Sequence, residues 1–198
     1  MADWTDAYRG FLEQRYGASP GPDLQDRFAW VGALHAHARE VLAPGALAEM
    51  PPAEVYARLG GLTAPGALIS LAKLGKANDA ERIVEALRRL MEAKGDFAAK
   101  FRAAKIPQAG VVAITALLTA VKPQRFAIRN TAFTRALAGV VPLYGKRALD
   151  ELAYEDFLDV CRELARVQEA WCGGGEPGEW ARAHRFLLLY ALLTETEG

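Results

Sequence analysis

The sequence is poor in the residues that build metal, redox or disulfide chemistry, with two cysteines and three histidines among 198 positions. Cys161 and Cys172 fall eleven residues apart on a stretch that reads as one helix. About 16 Å then separates them, too far for a disulfide. Two thiols without a His or Cys cluster make no zinc site, so both are expected to be packed or partly exposed, without a redox role. His35 and His37 lie two residues apart on a helix and point to different faces, which suits solvated or core-edge histidines rather than a shared metal. No G-x-x-x-x-G-K-[ST] loop occurs, and the glycine pairs at Gly60 and Gly173 lack the following Lys and Ser/Thr that would cradle phosphates. A D-x(n)-E-x-K nuclease site is not evident either. No catalytic residue, metal or cofactor is expected.

Long apolar runs are also missing. The most apolar stretch, from Phe186 to Leu193, is far shorter than the roughly 20 residues that cross a bilayer, and Arg182, His184 and Arg185 precede it. It reads as a buried core helix. The start, MADWTDAYRG, has neither the basic nor the apolar segment of a secretory signal, so a cytoplasmic location is expected. Ala, Leu, Glu, Arg and Lys outweigh the β-branched residues, which favours an all-α fold.

The most informative absence is one of charge. The chain as a whole is neutral, with 24 cations and 24 acids, yet residues 97–149 contain no Asp or Glu. An even distribution would put about six acids there. The same stretch carries Lys100, Arg102, Lys105, Lys122, Arg125, Arg129, Arg135, Lys146 and Arg147, nine cations that leave the rest of the chain at −9. Such asymmetry is the electrostatic footprint of a surface that meets nucleic acid, and one contiguous positive face is expected.

Helical periodicity places a first amphipathic helix on Trp4, Tyr8, Phe11, Leu12 and Tyr16, before Gly17. A second, long helix runs from Leu24 to Leu42 and ends at Pro44-Gly45. Proline and glycine pairs between Met50 and Lys76 leave room for two short helices and mark a boundary, giving an N-terminal helical subdomain over 1–76 and a second domain over 77–198. Asn78 with Glu81 reads as a capping box for a helix through Met91, and Asp96 caps a short basic helix. An apolar helix over 111–121 stops at Pro123, and Asn130 or Thr131 caps the next. Late helices follow at 154–171 and 179–194, joined by the GGGEPG loop. Phe126 reads as core, and neither Trp171 nor Trp180 is singled out as a base platform.

The order helix, Ile106-Pro107-Gln108-Ala109-Gly110, small-residue helix, Lys122-Pro123 and capped helix resembles the helix-hairpin-helix core of DNA-binding proteins and base-excision glycosylases. There the hairpin reads Leu-Pro-Gly-x-Gly. Gln108 stands at the first glycine, Gly110 at the second, and Val112 near a position that is often basic. The resemblance implies a bundle of crossing helices in which the turn and the N-terminus of the following helix seat a phosphate. The glycosylases carry a catalytic Asp just after the connection, where this chain has Ile128-Arg129-Asn130-Thr131 without a carboxylate, so DNA contact without base excision is implied.

A closer resemblance is to the accessory domain of McrB-like restriction and phage-defence NTPases. It is carried by Gly95-Asp96-Phe97, the 106–110 hairpin, the Lys122 to Asn130 segment and His184 to Tyr190, across roughly 78–193. It implies a non-catalytic DNA-binding module working alone or with a separate NTPase or nuclease subunit. The expected DNA-binding residues are Lys105, Gln108, Gly110, Lys122, Arg125, Arg129, Asn130, Thr131 and Arg135. Two alternatives remain open: a scaffold domain that docks an acidic protein, and a residual base-lesion enzyme.

Overall fold

The computed structural model describes residues 4–21, 23–63 and 78–195, and the described residues form twelve α-helices, two short 3₁₀ turns and no strand. The fold is all-α. Contacts divide the chain into two compact units, Ala33–Lys122 and a second made of Met1–Gly32 with Pro123–Gly198. The subdomain boundary expected at 76/77 lies outside the described residues.

The discontinuous unit is organised by a 19-residue helix. Helices α1 (Trp4–Tyr16) and α2 (Leu24–Arg27) open it. The helix expected to run unbroken from Leu24 to Leu42 instead breaks at Phe28, with φ −112° and ψ 29°, before α3 (Ala29–Leu42). The break carries the buried Phe28 ring against Tyr16, centroids 6.1 Å apart. Late in the chain, α9 (Thr131–Ala138) and α10 (Tyr154–Cys172) are followed by α11 (Gly175–Ala183) and α12 (Arg185–Thr194). Helix α10 packs against α1, α11 and α12.

Where one helix was expected over 179–194, the chain breaks at His184, and α11 begins inside the glycine loop. Pro177 is tolerated there because the first turn of a helix has no carbonyl partner for its amides. Helix α12 is buried from Phe186 to Leu193, as its apolar sequence requires.

Several polar side chains bridge distant parts of this unit. The fully buried Gln168 accepts from the Tyr8 hydroxyl at 3.4 Å and donates to the Arg185 carbonyl at 3.3 Å. Glu195 accepts from the Tyr16 hydroxyl and from Arg27 Nε, each at 2.9 Å, tying α1 and α2 to the end of α12. Cys161 and Cys172 are both free and buried. Burial, with a smaller push from Glu169, raises the Cys172 thiol from its ordinary 9.0 to about 12.

The other unit holds α4 (Pro44–Glu49) and α5 (Pro52–Leu59), then α6 (Ala80–Glu92), α7 (Phe97–Ala104) and α8 (Val111–Val121). Ile83, Val84, Leu87 and Leu90 form the buried stripe of α6, which packs on α4, α5 and α7. Its cap is Asp79, whose carboxylate accepts from the Arg82 amide at 2.8 Å. The expected capping residue, Asn78, is buried and donates instead to the Pro107 carbonyl at 2.9 Å. His35 and His37 each bond a backbone carbonyl, of Ala120 at 2.7 Å and Arg58 at 2.9 Å. Helix α8 is buried continuously from Ile114 to Ala120.

Leu117→Ala should lower the unfolding free energy by about 2–5 kcal/mol in urea titration, the cost of a cavity in a tight core. Below pH 9 the raised Cys172 thiol leaves stability intact. Between pH 9 and about 12 the unfolded thiol ionises while the folded one does not, so melting temperature should fall over that window, and Cys172→Ala should flatten the fall.

Candidate nucleic-acid interface

The hairpin is built by incompatibility with helix. Helix α7 starts on Asp96, whose carboxylate accepts from the Ala99 amide at 2.8 Å. It ends at Lys105, which turns left-handed with φ 44°. Pro107 then fixes its own φ and forces Ile106 out of the helical region. The Ala109 amide closes a turn onto the Ile106 carbonyl at 3.0 Å, leaving Gln108 at φ 66°. Proline at the second position and positive φ at the third are the demands of a type II turn, in which the third residue is ordinarily glycine.

Lys105 and Gln108 are the two non-glycine residues at positive φ among those described, and both belong to this hairpin. Gly110, by contrast, has φ −76°, and an added Cβ would meet open space. Its backbone conformation is one any residue adopts, so the geometry gives no reason for glycine there. Helix α8 begins next, without a side-chain cap on its first amides, and Val111 and Val112 are 37% and 45% exposed.

The nine cations do not all reach the surface. Lys100 is 2% exposed and points inward, donating to the Leu90 carbonyl at 3.1 Å and to the Ala93 carbonyl. Arg129 is half-buried, its guanidinium 5.3 Å from the Phe157 ring centroid and 3.1 Å from the Asp150 carbonyl. The remaining seven are exposed. Arg147 pairs with Asp156 at 2.8 Å. Arg102, Lys105, Lys122, Arg135 and Lys146 make no ion pair with a described residue.

The cations also divide between the units. Arg102, Lys105 and Lys122 belong with Gln108 and Gly110 to Ala33–Lys122, while Arg125, Arg129, Asn130, Thr131 and Arg135 belong to the other unit.

Within that second unit the connection before α9 is held from both sides. The Tyr154 hydroxyl donates to the Ala127 carbonyl at 2.8 Å and accepts from the Ala127 amide at 3.0 Å, replacing the partner strand this extended segment lacks. Phe126 is core, with the Arg125 guanidinium 5.4 Å from its centroid. The Asn130 side-chain oxygen is committed to its own helix, accepting from the Phe133 amide at 2.7 Å, whereas Thr131 and Arg135 are exposed.

One feature not singled out from the sequence is a cleft of about 530 Å³ beside the hairpin, lined by Phe101, Arg102, Lys105, Ile106, Ala109 and Ile114. Phe101 lies against the buried Phe97 with centroids 5.6 Å apart. The i, i+4 spacing of the two phenylalanines identifies a shared helix face, but only the packing separates the buried ring from the half-exposed one. A second cleft, of about 630 Å³, is lined by Arg39, Glu40, Met91 and Lys122 among others. No three His, Cys, Asp or Glu side chains gather into a metal-binding cluster among the described residues.

Gln108→Gly should leave stability unchanged or raise it by up to about 1 kcal/mol, because glycine bears no left-handed penalty. Gln108→Val should destabilise, and thermal melts of the pair check both. Tyr154→Phe removes a donor and an acceptor from the Ala127 backbone and should cost about 1–3 kcal/mol in the same assay. Comparison with family models, with curated proteins and with solved structures finds no match to this chain.

Proposed function

We propose that this chain is a non-catalytic DNA-binding module that seats the DNA backbone on a basic helical surface. The observation that carries the reading is the coincidence, in one hairpin, of backbone strain and exposed positive charge. Lys105 and Gln108 both hold left-handed conformations that L-residues resist, in a turn flanked by the exposed cations Arg102 and Lys105. Strain of this kind persists only where the surrounding structure imposes it, and it concentrates at binding sites.

Gln108 stands where helix-hairpin-helix proteins carry their first glycine and holds a positive φ of the kind glycine adopts most readily, which supports that likeness. The exposed start of α8 leaves amides and a positive helix end available to phosphate. In one unit the proposed contacts are Lys105, Gln108, Gly110 and Lys122. In the other, taken by itself, they are Arg125, Arg129, Thr131, Arg135 and, through its side-chain nitrogen, Asn130.

The absence of any carboxylate between 97 and 149 favours binding over base excision, since no acidic group there can assist the chemistry. The likeness to restriction and phage-defence modules suggests a partner NTPase or nuclease. A second reading, a protein-docking domain, is favoured by the exposed Val111 and Val112.

Titration of duplex and single-stranded DNA at two salt concentrations tests the proposal. Affinity should fall steeply with salt, because each neutralised phosphate releases condensed counterions. Lys122→Ala and Arg125→Ala should each reduce the salt slope by about one unit. Gly110→Glu should weaken binding in a protein that still folds, since the added side chain meets open space but carries a repelling charge. Salt-independent binding, or none at low salt, would remove the DNA reading.

A further inference from the structure

The lining of the cleft beside the hairpin joins apolar side chains, those of Phe101, Ala104, Ile106, Ala109 and Ile114, to two cations, Arg102 and Lys105. No carboxylate lines it. Both cations are exposed, and neither pairs with a described acid. At about 530 Å³ it lies within the size range of small-ligand sites.

Phe101 is backed by the buried Phe97 ring, 5.6 Å away between centroids, so its position is fixed by the α7 core. A flat π surface beside two positive charges matches a nucleotide, whose base is planar and apolar on its faces and whose phosphate lies a sugar's length away. A base held in a duplex is stacked on both faces and paired at its Watson–Crick edge, and must be flipped out to enter such a cleft. An unpaired base enters without that cost.

We propose that this cleft takes one unstacked base of single-stranded or locally unpaired DNA, with Phe101 as the stacking face and Arg102 and Lys105 on the adjoining phosphate. The inference rests on the DNA-binding reading and names its substrate class.

The test compares three probes at one salt concentration: a thymidine oligonucleotide, an abasic oligonucleotide of equal length and charge, and a duplex. The thymidine strand should bind about tenfold tighter than the abasic strand, the scale of one base–aromatic stack. Phe101→Ala should abolish that difference and Phe101→Trp should preserve it, while Arg102→Ala and Lys105→Ala should weaken both strands alike. If Phe101→Ala fails to fold, the comparison of the two strands on the unaltered protein decides alone. Equal, salt-dependent binding of thymidine and abasic strands would overturn the base-binding cleft and leave the phosphate reading standing. Failure of all three probes at low salt would overturn both.

Discussion

A lysine ammonium shielded from bulk water closes the carbonyl end of α6, and the hairpin side of its unit is arranged around that contact. Lys100 reaches from the middle of α7 to the Leu90 and Ala93 carbonyls, groups the end of α6 leaves without intrahelical partners. Its positive charge also meets the negative end of the α6 dipole. The contact holds α7 on α6, the Asp96 cap sets where α7 begins, and Pro107 sets where it ends. Lys105 and Pro107 then turn the chain, and the buried Asn78 holds the turn from outside through the Pro107 carbonyl. A hairpin pinned at both shoulders can keep Lys105 and Gln108 in conformations they would not adopt alone.

The same economy of backbone partners recurs in the other unit. Ala127 has no neighbouring strand, and Tyr154 supplies both a donor and an acceptor to it from the first turn of α10. Gln168 does likewise between Tyr8 and the Arg185 carbonyl. In each case one side chain with two hydrogen-bonding functions joins elements distant in sequence. Leaving either group unmatched in the interior would cost more than the bond itself contributes.

These anchors bear on the proposed function because they decide which charges are spent on structure. A cation counts toward a binding surface to the extent that no acceptor within the fold claims it. Lys100 goes wholly to helix carbonyls, Arg129 in part to the Asp150 carbonyl, and Arg147 pairs at the surface with Asp156. What remains near the hairpin, Arg102 and Lys105, borders an apolar cleft and not a patch of charge alone.

Much of the architecture was legible in the sequence, because helix signals are local. The 111–121 helix, the Asp96 and Asn130 caps and the buried 186–193 segment all follow from periodicity and capping chemistry. The breaks at Phe28 and His184 did not, since neither residue is a helix breaker by its own chemistry. At Phe28 the break accompanies the packing of its ring on Tyr16. Asn78 lost its expected cap to Asp79 because a carbonyl 29 residues away claims its amide. The acid-free stretch was visible as composition, but composition carries no direction. Which of its nine cations faces water, and which Phe of the 97/101 pair borders a cleft, depended on contacts between segments that no local pattern encodes.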